Sequence, residues 1–354
     1  MAEYTLRIAG YTFNCPACDA EHELSHKAKG VGKTTCQCGA VLTLDMSPLP
    51  MLYTDAEKTF ALGKEQYDWG NFKEARPYFE TAAECNHPLA IYYLSILYAE
   101  GLGVQQDKEI RMAYLERAAH LGCNEALLNL GNILCDQGDT ARAAECYKKA
   151  IKKGDKDAMF AYALLFDEDD PNTPDEVFRW LERAGDLGIS QAYNRLGNIY
   201  CNMGDIKKGI EWYIKSANAG GASGQFNLGR IYCYGKELGD EYPDAQPKVG
   251  FDYIQLSARQ FYAPAMVLYA SYFKKGELVN QSEPVYALWI ERAASQGNAL
   301  GQLELAIYYA EHNEYDKCFY WLNESRNQGY SLAERYYPEM VKRAAANGYD
   351  VGGL

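Results

Sequence analysis

No stretch of the 354-residue chain approaches the roughly 18 consecutive apolar residues of a membrane-spanning helix. The start, Met1-Ala2-Glu3-Tyr4-Thr5-Leu6-Arg7-Ile8, lacks the basic segment and apolar run of a secretory leader. A cytoplasmic protein with no membrane partner is therefore expected. Positive charge is also short: 35 Lys and Arg against 48 Asp and Glu leave a net charge of −13. The chain as a whole repels nucleic acid at long range, and neutral or positively charged partners fit it better. The usual parts of a catalytic site are missing as well. His87, His120 and His312 are widely separated, no Ser or Cys nucleophile recurs at a fixed offset, and no paired-carboxylate pattern is present, so a non-enzymatic role is expected. The run Asp167-Glu168-Asp169-Asp170 lacks the glycine and spacing of a calcium loop. Regular cysteine pairing is absent too. Of eleven cysteines, four cluster near the N-terminus and seven are scattered singly, which favours reduced thiols.

What the chain does have is self-similarity. The stretch Leu196-Gly197-Asn198-Ile199-Tyr200 recurs, blurred, at Leu62, Leu94, Leu130, Tyr162, Leu228, Tyr269 and Leu305, with copies 32 to 41 residues apart. That period marks a helical repeat array, each copy reading as helix A, loop, helix B, loop. The residue after the register position is small in all eight copies: Gly63, Ser95, Gly131, Ala163, Gly197, Gly229, Ala270 and Ala306. Only a small side chain there lets two helices approach closely. Three residues further on the position is usually aromatic, as in Tyr98, Phe166, Tyr200 and Tyr232.

Helix B carries its own row, Tyr78, Tyr114, Trp180, Trp212, Tyr253, Trp289 and Trp321 with Cys146 as the exception, which core packing explains. Four residues later stands Ala or Ser, and eight later usually Gly, where a helix end needs positive φ. Asn86 and Phe261 replace that glycine in two copies. Leu332 to about Asn347 reads as a final capping helix with charged Glu334, Arg335, Lys342 and Arg343. The expected domains are residues 1–48, a proline-containing linker at 49–54, repeats over 55–333, and a capping helix and tail at 334–354.

Ahead of the repeats, Tyr11-Thr12-Phe13 reads as a strand entering Cys15-Pro16-Ala17-Cys18, and Val41-Leu42-Thr43-Leu44 as a strand leaving Cys36-Gln37-Cys38-Gly39. This module resembles a zinc ribbon. Two thiolate pairs on facing turns can form a tetrahedral site, and a structural zinc would supply stability that so few apolar residues lack. The second pair is one residue short of the usual spacing, so His22 or His26 could replace one thiolate; a disulfide or four unconnected thiols are the other readings. Gly30-Val31-Gly32-Lys33-Thr34-Thr35 resembles the end of a phosphate-binding loop, but Lys27 stands where the first glycine belongs, and a flexible hairpin tip is the expectation. Lys27, Lys29 and Lys33 make this tip the local basic cluster through which RNA or DNA contact is possible.

The second repeat, Leu94-Ser95-Ile96-Leu97-Tyr98, then Gly101-Leu102-Gly103-Val104-Gln105-Gln106-Asp107, then Ala113-Tyr114-Leu115 and Ala118-Ala119-His120-Leu121-Gly122, resembles the Sel-one-like repeat family, a branch of the tetratricopeptide superfamily. Other copies, such as Gln137-Gly138-Asp139-Thr140-Ala141-Arg142-Ala143, have the shorter tetratricopeptide loop. The resemblance implies an all-α fold, a right-handed α–α superhelix of about eight helix pairs, preceded by the small β zinc ribbon.

In that architecture the residue after the small position faces the groove: Lys64, Ile96, Asn132, Leu164, Asn198, Arg230, Ser271 and Ile307. In peptide-holding tetratricopeptide relatives Asn at this site grips a peptide backbone and a nearby Lys or Arg takes a carboxylate. By that resemblance Lys64, Asn132, Asn194, Asn198 and Arg230 are candidate ligand contacts, with plain surface polarity as the alternative. Asp68, Glu100, Asp136, Asp167, Glu168 and Glu311 near the ends of A helices read as solvated charge or as an edge attracting a basic peptide. The function expected is a scaffold or adaptor binding a protein or peptide in its groove. The alternatives are a nucleic-acid factor acting through the ribbon and a hydrolase of the β-lactamase-like type associated with disulfide-paired relatives. Partner identity and oligomeric state stay open.

Overall fold

The computed structural model describes residues 55–170, 173–240 and 242–352 in full, together with the backbone of residues 52–54 and of five short strands before them. Strand β1 (Glu3–Arg7) runs parallel to β5 (Val41–Met46), which pairs antiparallel with β4 (Gly30–Thr35). Strand β2 (Thr12–Asn14) pairs antiparallel with β3 (Glu21–Glu23). The two strands anticipated around the cysteines correspond to β2 and β5. Residues 30–35, expected as a flexible tip, are instead a strand, in register with six residues of β5, to which alternate residues of β4 are hydrogen-bonded. Lys33 lies on it; Cys15, Cys18, His26, Lys27, Lys29, Cys36 and Cys38 lie outside the described residues, as does the side chain of His22.

From Leu52 on, all regular structure among the described residues is helical. Eight pairs follow: α1 (Leu52–Asp68) with α2 (Phe72–Glu84), α3 (Pro88–Glu100) with α4 (Lys108–His120), α5 (Asn124–Asp136) with α6 (Thr140–Ile151), α7 (Lys156–Ala163) with α8 (Asp175–Asp186), α9 (Ser190–Asn202) with α10 (Ile206–Asn218), α11 (Ala222–Tyr234) with α12 (Pro247–Arg259), α13 (Ala263–Lys275) with α14 (Glu283–Ser295), and α15 (Ala299–Glu311) with α16 (Tyr315–Asn327). A last helix, α17 (Ser331–Ala346), packs Ala333, Met340 and Ala344 onto α15 and α16 and leaves Glu334, Arg335, Lys342 and Arg343 exposed, as a cap requires. No described helix is long and apolar enough to cross a membrane. Packing divides the chain into Met1–Ala150 and Ile151–Leu354, a division the repeat pattern does not mark.

Each pair is built on the small-residue row. All eight members are buried. A Cβ added at Gly131 or Gly197 would lie 2.5 Å from the ring of Tyr147 or Tyr213, and one at Gly63 would lie 2.9 Å from Phe79. Real Cβ atoms do not approach so closely, so the A and B helices of a pair meet at a separation that only these residues permit. A second row, five residues earlier, meets the preceding pair. Within the two units it reads Ala90 and Ala126, then Ala192, Gly224, Ala265 and Gly301, all buried; a Cβ on Gly224 would lie 2.3 Å from Ser216 Oγ of α10. The register leucines do the same: Leu228 packs on Tyr213 and Ala217, Leu305 on Ile290 and Ala294. In the first copy, where no B helix precedes, these positions hold exposed Lys58 and half-exposed Leu62. The charged residue makes α1 a solvent-facing start of the array.

The aromatic row on the B helices is only partly core. Tyr78 is exposed and Tyr114, Trp180, Tyr253, Trp289 and Trp321 are half-buried. The fully covered row is the next residue: Phe79, Leu115, Tyr147, Leu181, Tyr213, Ile254, Ile290 and Leu322. Each contributes roughly 1.5–3 kcal/mol by burial. The flanking aromatics stack across the edge of the pair instead, Tyr98 on Tyr114 at 5.8 Å and Tyr232 on Tyr253 at 6.0 Å. Where Ser replaces Ala four residues on, Ser216, Ser257 and Ser325 are fully buried and donate to the carbonyls of Ser190, Ala222 and Ala299 at 2.7–2.8 Å, tying the B helix to the start of its A helix.

Helix α7 is shorter than the pattern implies. It stops at Ala163, and the exposed Leu164 is its C-cap, so Phe166 through Asp170 form a loop. Four successive carboxylates at a helix C-terminus would oppose the macrodipole, and the loop lets Glu168 turn back toward α9.

B helices close in the same way throughout. In the fourth pair Gly188 N–H bonds the Gly185 carbonyl and Ile189 N–H the Ala184 carbonyl, with Gly188 at φ 100°. Phe261 makes the identical bonds, to Ala258 and from Tyr262 to Ser257, at φ 61°. A side chain with a Cβ pays roughly 1–2 kcal/mol for that conformation, and Phe261 is 57% exposed, so burial returns little. Phe261→Gly is expected to raise stability by about 0.5–1 kcal/mol, read as an upward shift of the thermal midpoint. No shift, or a fall, would show that the ring's contact with Arg292, 6.0 Å away, outweighs the backbone cost.

Candidate functional site on the A-helix faces

The residue after each buried small position is open to solvent in every copy. Asn132, Leu164 and Arg230 are exposed, and Lys64, Ile96, Asn198, Ser271 and Ile307 are half-buried. The candidate residues are distributed over both units. In the first, Lys64 forms an ion pair with Asp68 one turn on and lies 5.6 Å from the Tyr93 ring, contacts that raise its pKa. Asn132 accepts from the Tyr147 hydroxyl at 2.7 Å. Burial pushes that phenol up to about 12, which keeps it a donor. With one oxygen lone pair engaged, Asn132 keeps both amide N–H groups and a second acceptor position for a ligand.

In the second unit the same Asn–Tyr bond recurs between Asn198 and Tyr213 at 2.8 Å, and a polar network grows around it. Asn198 donates to Glu168 at 2.8 Å, Arg195 pairs with the other Glu168 oxygen at 3.0 Å and also donates to the Phe166 carbonyl, and Asn227 donates to Asn194 at 2.9 Å. The side chains of Arg195 and Glu168 are 15% and 31% exposed, so Glu168 is not solvated charge: it is the partner that makes a half-buried arginine tolerable. Sequence reasoning missed Arg195 and Asn227. Both stand immediately before a register leucine, Leu196 and Leu228, and polar residues in that slot were the available signal.

Arg230 lies apart from this network, over the Phe226 ring at 5.7 Å, at the mouth of a pocket of about 600 Å³. Its lining comes from α11, α13 and α15, including Val267, Leu268, Ser271 and Leu300, and from a 3-10 helix, η1 (Gly235–Leu238), in the insertion after α11.

Comparison with known proteins agrees with this architecture. The Sel1 repeat pattern matches residues 88–123, 156–189, 222–260, 263–298 and 299–330, half of the chain, and tetratricopeptide repeat patterns match 124–157 and 190–219. The chain belongs to the Sel1 repeat family. Each Sel1 segment opens at the start of an A helix and closes at the turn ending a B helix. Among curated proteins the chain is 23% identical over 279 residues to chitin synthase regulatory factor 4 of Schizosaccharomyces pombe, covering 71% of this chain and 43% of that one. Regulatory factor 3 of the same yeast is 24% identical over 176 residues, 45% of this chain and 19% of that one. The chain thus spans less than half the length of these two relatives. Among solved structures, a Sel1 repeat protein from Oxalobacter formigenes aligns with a TM-score of 0.61 at 24% identity, covering 82% of this chain and 89% of that one. A protective antigen of uropathogenic Escherichia coli strains, displaying an SLR fold, aligns at 0.56 and 24%, covering 83% and 69%. These likenesses show a shared fold.

Five thiols of this Sel1 repeat chain are held back from chemistry by burial in the helix packing. Burial pushes Cys123 up to about 12 and Cys318 up to about 11, and raises Cys146, Cys201 and Cys233. The thiolate is the nucleophile, so these groups are almost wholly unreactive near neutral pH. Cys123 and Cys318 are accordingly expected to resist iodoacetamide at pH 8 in the native protein and to alkylate once it is unfolded in guanidinium. Rapid native alkylation of either, mapped by mass spectrometry, contradicts this.

Proposed function

We propose that the chain is a non-enzymatic protein-interaction scaffold that holds a peptide or helix of a partner against its A-helix faces. The observation that carries this reading is the pairing of two adjacent rows. In every copy the small residue is closed into the helix pair while its neighbour, from Lys64 to Ile307, stays open to solvent. A fold that repeats the same open position in each copy presents a partner with contacts in series rather than one reaction centre. The likeness to chitin synthase regulatory factors supports an adaptor acting on another protein, and the suppressed thiols fit a role without covalent chemistry. Within the row, Asn132 and Arg230 offer the freest polar groups. Asn194 and Asn198 spend part of their capacity inside the network, so their part in ligand contact is partly indirect, through Glu168 and Asn227.

Photo-crosslinking tests this in the native cell. Benzoylphenylalanine placed at Asn132 or Arg230 of the full chain is expected to capture a partner that the same group at Glu211, exposed on the α10 B helix, does not. Capture from Glu211 alone would move the interface off the A-helix faces.

For the N-terminal module we propose a structural zinc held by Cys15, Cys18, Cys36 and Cys38, with His22 or His26 as substitute for one thiolate. The supporting observation is the strand order: one cysteine pair lies in the connection between β2 and β3, the other in the connection between β4 and β5. Two hairpin connections each carrying a thiol pair provide a four-donor set of the kind zinc takes, and the metal would crosslink the two hairpins. Protein purified under reducing conditions is expected to contain about one zinc per chain by mass spectrometry. Full occupancy in a Cys15→Ser, Cys38→Ser double variant would remove the assignment.

A further inference from the structure

The first helix of the array keeps open a face that its counterparts close. The register residue is buried in the other seven copies, whereas Leu62 of α1 is 50% exposed. Around it runs one continuous stripe. Lys58, Ala61, Leu62, Glu65 and Trp69 are spaced so that 3.6 residues per turn bring all five to one side, and all five are exposed. Trp69 follows the last residue of α1, and its N–H bond to the Glu65 carbonyl at 3.2 Å carries the helical path that far. Its indole is 67% exposed.

A leucine and a tryptophan open on one helix face mark a surface that is covered in some state of the protein. The opposite end of the array is built otherwise, with Glu334, Arg335, Lys342 and Arg343 turned outward on α17. Charge on α1 is also unequally spent. Off the stripe, Glu57 meets His87 and Lys64 meets Asp68; on it, Lys58 and Glu65 have no ion-pair partner among the described residues. Their placement decides what fits. Lys58 stands three residues before Ala61 and Glu65 three residues after Leu62, so a half-turn about an axis between Ala61 and Leu62 exchanges the positive position for the negative one and the small residue for the large.

We propose that this stripe is the contact surface for a second copy of the same chain. Two α1 helices pack antiparallel about a two-fold axis. Each Leu62 fills the space over the partner's Ala61, each Lys58 faces the partner's Glu65, and each Trp69 covers the first turn of the other α1. A self-complementary patch is what a two-fold interface requires, and a charge pattern that inverts about its own centre is complementary to itself. Large against small along the seam lets the two helices approach. One helix from each subunit is a small interface beside the roughly 1,200–2,000 Å² of stable complexes, so the dimer forms and dissociates with concentration.

Sedimentation velocity of the full chain over a wide concentration range tests this, and a monomer–dimer equilibrium is expected. Lys58→Glu and Glu65→Lys each set like charges against one another twice across the axis, and each is expected to weaken dimerisation by about tenfold or more. Mixed together, the two single variants are expected to dimerise with each other, because each contact then joins opposite charges. The double variant Lys58→Glu, Glu65→Lys is expected to regain the homodimer for the same reason. Recovery in the mixture also shows that both single variants are folded. A chain that is monomeric throughout leaves the stripe to some other occupant and overturns the proposal. So does a dimer indifferent to both reversals, or a pair of monomeric variants that stay monomeric when mixed.

Discussion

The close approach of each A helix to its B helix is the constraint from which the rest of the structure follows. Gly131 and Gly197 place backbone against the faces of Tyr147 and Tyr213, leaving no room for a methyl group. That contact fixes how far apart the helices of a pair sit and how they are rotated, because the large residue must find the one gap in the facing helix. The Asn–Tyr bonds are a consequence. A tyrosine whose ring lies over the glycine projects its hydroxyl past it, to the next residue of the A helix, where Asn132 and Asn198 accept.

Pairs join to each other by a second small row, and the ends of the array show what that joining demands. Within the array the slot is Ala or Gly; in α1 it is Lys58, exposed. At the other end α17 covers α15 and α16 with Ala333, Met340 and Ala344 and turns charged residues outward. Polar groups inside follow the same economy of satisfaction: Gln225 and Gln302, nearly covered, are bonded by Gln260 and Gln328 at 2.8 and 2.7 Å.

The copies differ most plainly in the space this packing leaves over. The row next to the glycines cannot be buried without separating the helices, so it is available in every copy, and individual copies have used it differently. The fourth copy gives up the end of α7 so that Glu168 can meet Arg195 and Asn198. The sixth adds an insertion that walls a pocket beside Arg230. Divergence at such positions leaves the packing scheme of the repeats unchanged.

Most of the helical architecture was legible in the sequence because its signals are local and repeated. The small row, the final cap and the turns at Gly122 or Gly188 each depend on steric rules that hold within a few residues, and eight copies let weak signals reinforce one another. The most deeply buried B-helix row stands one residue beyond the expected one, of which only Cys146 and Trp212 are buried; the regular recurrence of Trp and Tyr drew attention to the edge of the pair, while the covered row mixes Phe, Leu, Ile and Tyr and so repeats less visibly. What the sequence by itself determined is the helix pairs, their number and the faces by which they pack. Only the tertiary structure decided which polar residues are spent and which are free. Asn198 and Arg230 occupy the same slot of the repeat, yet Glu168, 30 residues away from Asn198, engages the asparagine, and no carboxylate among the described residues engages the arginine. Such pairings cross repeats, and a partner's distance in space is not written in the spacing along the chain.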